Sequence, residues 1–371
     1  MATRTAHGPP DVIWLSALFG LTFFCTALAF VLGQGAGIDA IQVYYLYISR
    51  IFLLAPVLLI GGASIGVLML VIGGDQLPMQ TFGNYFGKRF ERRGSVAAAF
   101  APVLLMPLLL GAFGTLKQLI PIYNPFSWDD TFARIGYHMF FNHSPWRLTH
   151  ALFGSPFATM ALDRLYAAWV PLLFLVTPVV ALVAPPLLRA RFFLSFGFGF
   201  ILIGVVGAYY FSSAGPCFAA HLHTETAVRY VELMQRLHTI DQTSYHLSSI
   251  YFQDHLWQAY QSNEFGFGNG ISAMPSMHNA VAILYALAVG GLGWRLRAVA
   301  WTFAGLIMVA SVHLGWHYTA DGIIAWSSMY CIWWTSGWFL RATGYEQAVS
   351  GPATAEPQLS LVVNNGARLA A

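Results

Sequence analysis

Four residues in two short segments have the types and spacing for chemistry at phosphorus. Ser276 and His278 lie in Ser272-Ala273-Met274-Pro275-Ser276-Met277-His278. His317 and Asp321 lie in His313-Leu314-Gly315-Trp316-His317-Tyr318-Thr319-Ala320-Asp321. Positions 317 and 321 are four apart, so on a helix they share one face. A carboxylate there accepts the imidazole Nδ1–H and fixes the tautomer, which leaves Nε2 with a free lone pair. Such a nitrogen is a competent nucleophile toward phosphorus. His278 is then placed to protonate a leaving oxygen and later to deprotonate an incoming acceptor. Ser276 and the N–H groups that open a helix here suit phosphoryl oxygens, because a helix N-terminus favours anions. Pro275 suits the start of that helix. A single histidine in an apolar chain is more often a packed residue, and His313 is read that way. The set of four is what points to a site, since ionisable groups near a bilayer with a named partner are functional by default.

The elements that must position these residues are helices in a membrane. Hydrophobic residues make up 57% of the 371-residue chain and charged residues only 9%. A soluble domain carries about 25% charged residues, so most of this surface cannot face water. The 29 Phe, 12 Trp and 17 Tyr are what lipid–water boundaries attract. In lipid a helix satisfies its own backbone, so the class expected is all-α. A net charge of +3 is too small to argue for nucleic acid as a partner. Cys25, Cys217 and Cys331 have no metal-ligand spacing, and Cys25 and Cys331 sit inside apolar runs as expected packing residues.

About twenty apolar residues cross the hydrocarbon core. Eight candidate spans follow: 12–33, 45–73, 95–113, 160–184, 192–213, 279–294, 298–316 and 321–340. The first also has the position of a signal peptide, but its apolar stretch is long for one and no clear small-x-small cleavage site follows. With eight spans, Arg4, the basic 74–94 loop (Lys88, Arg89, Arg92, Arg93), Arg189 with Arg191, Arg295 with Arg297, and Arg341 all fall on one side. The positive-inside rule makes that side cytoplasmic, with both termini. The expected setting is the inner membrane of a bacterium, with the active site on the periplasmic face. That face receives the 34–44 loop, the long segments 114–159 and 214–278, and the 316–321 turn, so both motif segments converge there. The tail from about 345 is rich in small and polar residues and is expected to be disordered. No internal repeat and no soluble second domain is visible. His221, His223, His238, His246 and His255 crowd the 221–255 stretch. Histidines two apart share a face only on a strand, and spacing places no third ligand. Amphipathic loop helices are therefore expected, with Tyr251, Phe252, Trp257 and Tyr260 meeting the interface.

At the motif residues the sequence resembles the type 2 phosphatidic acid phosphatase superfamily, whose motifs read K-x6-R-P, P-S-G-H and S-R-x5-H-x3-D. Pro275-Ser276-Met277-His278 matches the second with Met for Gly, and His317 and Asp321 match the end of the third. Met277 and the His317-Tyr318 pair are similar to the inositolphosphotransferase branch, which includes inositol phosphorylceramide synthases. So is the segment from Lys117 to Trp146, with Ile120-Pro121, Asn124-Pro125-Phe126 and Trp128-Asp129. The resemblance covers about 114–340. It implies a six-helix core, filled mostly by spans four to eight. It divides the chain into three N-terminal spans (1–113), a catalytic membrane domain (114–344) and a tail (345–371).

The resemblance has gaps. The Ser-Arg pair of the third motif falls on Ala310 and Ser311, and the first motif is best matched by Ser213-Ala214-Gly215-Pro216, without its basic residues. Phosphoryl transfer needs positive charge at the equatorial oxygens. The candidates on the expected face are Arg50, Lys117, Arg134, Arg147, Arg164, Arg229 and Arg236. Lys117, just beyond span three, and Arg164, opening span four beside Asp163, are favoured as phosphate-binding partners of Ser276. The implied reaction proceeds through a phosphohistidine on His317, with no cofactor or metal required. The donor is a phospholipid or lipid phosphate, and the acceptor is water or a lipid or polyol alcohol. The branch resemblance leans toward transfer of a phosphoinositol-like headgroup. A phosphatase acting on phosphatidate or a polyprenyl diphosphate, and a non-catalytic transporter or scaffold, are the alternatives.

Overall fold

A computed structural model describes residues 11–72, 74–90 and 93–350. Arg4, Arg92 and the tail beyond 350 lie outside them. The chain is all-α: α1 (Val12–Gly35), α2 (Ala40–Ile72), α3 (Pro78–Phe90), α4 (Arg93–Tyr123), α5 (Asp129–Met139), α6 (Pro145–Phe153), α7 (Pro156–Ala167), α8 (Trp169–Val183) and α9 (Pro186–Ile201) come first. A π-helical stretch, Leu202–Gly207, joins α9 to α10 (Ala208–Tyr210). Then follow α11 (Val228–Asp241), α12 (Ser248–Gln261), α13 (Met277–Ala288), α14 (Trp294–His313), α15 (Thr319–Ala342) and α16 (Tyr345–Ser350).

The expected spans fall on helical chain, the fourth across α7 and α8 and the fifth across α9, the π-helical stretch and α10. Five helical stretches are long and apolar enough to cross a bilayer: Val12–Gly35, Val96–Tyr123, Pro156–Val183, Pro186–Tyr210 and Trp294–His313. The protein is a multi-spanning membrane protein. Its large outward-facing apolar side chains, Phe23, Phe24 and Leu104 among them, have no other favourable solvent.

Several boundaries differ from expectation. The third span does not end at 113, so the boundary expected there falls inside α4. The apolar run Leu119–Ile122 carries the helix on, and Gln118 Nε2 bonds back to the Gly114 carbonyl at 2.7 Å. Lys117 is therefore inside the helix, not beyond it. The sixth span is only the 12 residues of α13, about 18 Å long. The glycines at 290, 291 and 293 end it early. The tail opens as helix α16 instead of disordered chain, because Tyr345 is buried and its hydroxyl donates to Asp11 Oδ1 at 2.6 Å. Cys331 points outward from α15 and is not a packing residue, whereas Cys25 is buried.

One core joins α1, α2, α4, α8, α9, α13 and α15 around Trp14, Phe192, Phe196 and Met329. A second lies under α5, α6, α7, α11 and α14, around Phe132, Leu233 and Ile307. At one end of the bundle the start of α1, the start of α9 and α16 meet, since Tyr345 also reaches the Pro186 carbonyl. The two motif segments lie where α13 and α15 begin, under the loop helices α11 and α12.

Tyr345→Phe removes the hydroxyl's hydrogen bond to the Asp11 carboxylate and its longer contact with the Pro186 carbonyl. It is expected to lower stability by about 1–2 kcal/mol without changing turnover. Thermal unfolding of the detergent-purified protein beside an activity assay checks this.

Candidate active site

Each motif histidine sits at the start of a helix. Ser276 is the N-cap of α13, and its Oγ accepts from the Asn279 amide and from Asn279 Nδ2 at 3.0 Å. Such a cap satisfies donors that a helix start leaves unpaired. His278 follows two residues later. His317 ends the turn between α14 and α15, with its N–H bonded to the Ser311 carbonyl at 3.1 Å. Its Nδ1 lies 3.3 Å from Asp321 Oδ2, and the same oxygen accepts the Tyr318 N–H at 2.9 Å. With the tautomer that puts a proton on Nδ1, Nε2 keeps its lone pair. Asp321 is fully buried and His317 is 6% exposed.

The two segments are tied together. The Ser276 N–H bonds to the Asp321 carbonyl at 3.3 Å, so the first turns of α13 and α15 are fixed side by side. Asn279 Nδ2 also reaches Ser311 Oγ at 3.2 Å, which binds α14 to the pair. The ring centroids of His278 and His317 are 6.4 Å apart. The His278 imidazole is half-buried and lies between two aromatic rings, Tyr166 at 4.3 Å and Trp169 at 4.1 Å. His317 also lines a narrow crevice walled by Phe132, Trp146, Tyr230 and Tyr318.

Asp129 at the start of α5 is a site residue that the motifs did not single out. Its buried carboxylate accepts from Ser213 Oγ at 3.0 Å, the Ala214 N–H at 3.0 Å, the Gly215 N–H at 2.8 Å and Tyr318 Oη at 3.1 Å. It thus binds the Ser213–Pro216 segment to the residue after His317. The signal was the Trp128-Asp129 pair inside the Lys117–Trp146 block. Gly215 sits at φ +107°, where a Cβ would lie 2.6 Å from the Trp316 carbonyl oxygen. That backbone region is essentially glycine-only. Tyr166 and Trp169 carried no sequence signal, since aromatic residues in an apolar run look like packing.

The loop helices are held by other acids. Asp163 accepts the Ser248 and Ser249 N–H groups and Ser249 Oγ, which fixes the start of α12. Asp130 accepts from the Thr226 N–H and Oγ1 and from the Glu225 N–H. Burial pushes the Asp130 carboxyl up, but these bonds and Arg134 outweigh it and hold it below its ordinary range. His313 is buried and stacks on His150 at 3.9 Å, with its Nε2 3.0 Å from Thr159 Oγ1. Burial lowers the His150 imidazole, whose Nε2–H donates to the His313 carbonyl at 2.9 Å.

The basic candidates separate. Arg134 pairs with Glu225 and Arg147 with Glu232. Arg164 donates to Ser248 Oγ and the His246 carbonyl, and Arg236 to the Gly154 carbonyl. Arg229 lies over the Tyr137 ring and Arg50 over Phe267. Lys117 makes no hydrogen bond or ion pair with the described residues and is within electrostatic range of His278. In the 221–255 stretch His221 stacks on Trp257, and no group of three metal-ligating side chains forms among the described residues. Tyr251, Phe252 and Tyr260 of α12 are exposed, while Trp257 is half-buried against Phe218.

Helices that carry apolar faces outward thus bring a histidine–carboxylate pair beside a second histidine in a multi-spanning membrane protein. Residues 131–335 match the family model described as the PAP2 superfamily. The match spans more than half of the chain, and the chain belongs to that superfamily. Comparison with curated proteins and with solved structures found no match.

Asp129→Ala would leave two buried N–H groups and two hydroxyls without their acceptor. A loss of at least about 2 kcal/mol of stability and of tenfold in turnover is expected. Gly215→Ala, which strains the backbone against Trp316, is expected to cost about 1–3 kcal/mol. Unfolding midpoints and initial rates of the two variants check both.

Proposed function

We propose that this protein is a membrane-embedded, metal-independent lipid phosphatase working through a phosphohistidine, with phosphatidate or a polyprenyl diphosphate as substrate. The observation that carries the reading is the His317 Nδ1–Asp321 Oδ2 contact of 3.3 Å with the His278 ring 6.4 Å away, a gap that a phosphoryl group and its leaving oxygen can bridge. His317 Nε2 attacks phosphorus, the N–P bond forms, and the P–O bond to the leaving group breaks. The protonated His278 ring gives its proton to that oxygen. Water then attacks the phosphohistidine, His278 takes the water proton, and the N–P bond breaks to release phosphate. Asp321 holds the tautomer and offsets the charge on His317. Ser276, through the turn that it caps, and Lys117 hold the phosphoryl oxygens. Arg164 was favoured equally from sequence, but its bonds to Ser248 and His246 give it less support.

Eight crossings place both termini in the cytoplasm and the site on the opposite, periplasmic face. Three of the helices concerned, α2, α13 and α15, are assigned as crossings by this reading. The meeting of α1, α9 and α16 at one end of the bundle supports the arrangement.

A second reading is transfer of a phosphoinositol-like headgroup to a lipid or polyol alcohol. It is favoured by Asp129, which brings the transferase-like Lys117–Trp146 segment into the site.

The test is turnover of labelled phosphatidate and polyprenyl diphosphate by purified protein in detergent with EDTA. Candidate inositol-, glycerol- and ceramide-type acceptors are added in parallel. Released inorganic phosphate is expected, with loss of roughly a thousandfold or more in His317→Ala and in Asp321→Asn. A new phosphorus-containing lipid that forms only with an acceptor would move the assignment to transfer. Unchanged turnover in His317→Ala would sink both readings.

A further inference from the structure

The two histidines of the site are held in different ways. His317 has Asp321 to orient it. His278 makes no hydrogen bond through either ring nitrogen to any described residue, and it is half-buried, so nothing polar fixes its ring. The last torsion of a histidine is broad and roughly two-fold, so such an imidazole would sample many orientations. An acid that must meet a leaving oxygen within hydrogen-bond reach cannot do so efficiently from a freely turning ring.

Packing supplies the missing constraint. Tyr166 stacks on the His278 ring at 4.3 Å with 9° between planes, and Trp169 lies at 4.1 Å with 31°. Two rings this close and this nearly parallel cannot share one face without colliding, so they take opposite faces. Turning the imidazole edge-on would drive its edges into both. The clamp is itself anchored. Tyr166 is 5% exposed and Trp169 8%. Trp316, adjacent to His317, stacks behind Tyr166 at 6.2 Å and 13°. The Trp316 indole N–H donates to Ser249 Oγ at 3.0 Å, and Ser249 is held by Asp163. The column Trp316–Tyr166–His278–Trp169 therefore indexes the acid to the segment that carries the nucleophile.

We propose that Tyr166 and Trp169 are positioning residues for His278, clamping its imidazole from both faces and holding it turned toward His317 in place of a hydrogen bond. This rests on the reading of His278 as the acid of the phosphoryl transfer. The ring faces carry the effect, not the phenol hydroxyl or the indole N–H, neither of which has a hydrogen-bond partner among the described residues.

The test compares Tyr166→Leu and Trp169→Leu with Tyr166→Phe and Trp169→Phe in the full-length protein in detergent. With labelled phosphatidate or polyprenyl diphosphate, each leucine variant is expected to lose about tenfold or more in kcat with KM within twofold of the parent. Each phenylalanine variant is expected to stay within about threefold. A second readout does not depend on turnover. In protein carrying 13C-labelled histidine, the His278 ring resonance, assigned by its loss in His278→Gln, should be shifted by the flanking ring currents. The shift should survive in the phenylalanine variants and collapse in the leucine variants. Leucine variants with full kcat, phenylalanine variants as impaired as leucine ones, or an unshifted His278 resonance in the parent would each overturn the clamp. If the parent turns over no substrate, the phosphatase reading fails while the resonance still decides the clamp. If a leucine variant fails to fold, the parent and phenylalanine resonances decide it.

Discussion

Asp321 is the residue through which the rest of the site is built. Its carboxylate reaches His317 Nδ1 and the Tyr318 N–H, and its backbone carbonyl accepts the Ser276 N–H. One buried residue thus orients a histidine, starts α15 and registers α13 against it. Removing a buried charge's partners is costly because water cannot replace them. The position therefore does not tolerate drift, and both helix starts inherit that rigidity. Asn279 extends the same logic by bonding Ser311 of α14, at the position where the motif comparison would place an arginine. A small hydroxyl there trades a cation for a tie between helices.

The loop region obeys a related constraint. Irregular backbone next to a bilayer must find partners for its N–H groups. Three carboxylates supply them. Asp129 gathers the Ser213–Pro216 segment, Asp130 the start of the turn before α11, and Asp163 the start of α12. Each acid lies in α5 or α7 and each collects donors some 85 to 96 residues further along the chain. The loop helices are therefore fastened to the bundle by charge-assisted bonds, which are about twice as strong as neutral ones. Gln253 adds a neutral bond, from its Nε2 in α12 to the Leu314 carbonyl at 2.9 Å. The cover over His317 is held from both ends of its own sequence.

Much of this was legible in the residues. Apolar runs located every long helix, because hydrocarbon thickness dictates their length. The four-residue spacing of His317 and Asp321 foretold their contact, although His317 precedes α15 and meets Asp321 across the capped first turn, not as two residues on one helical face. The ends of the runs were less legible. Lys117 interrupts an apolar stretch by composition but not by conformation, and α4 continues through it to Tyr123. Tyr345 looked like the beginning of a tail until its hydroxyl found Asp11, 334 residues away. Contacts of that sequence separation leave no local pattern. Tyr166 and Trp169 show the same limit inside the site, because an aromatic that clamps a histidine and one that faces lipid read alike in a single chain.

The missing arginines are the sharpest departure from the motifs, and the basic residues that remain are mostly engaged elsewhere. The transition state of phosphoryl transfer spreads negative charge over three equatorial oxygens. Arg134, Arg147, Arg164 and Arg236 are each committed to an acid, a hydroxyl or a carbonyl in the loop region, and Arg50 and Arg229 lie on aromatic faces. Freeing any of them would break a contact that holds the cover in place. Lys117 has no such obligation and lies within electrostatic range of His278. Under the proposed function, charge stabilisation then comes from one lysine, the N–H groups opening α13, and a setting shielded from water, where each dipole counts for more than it would in solution. In such a site the orientation of the groups matters more than the number of cations. That is the condition under which holding His317 by Asp321, and His278 by two rings, becomes the main work of the surrounding fold.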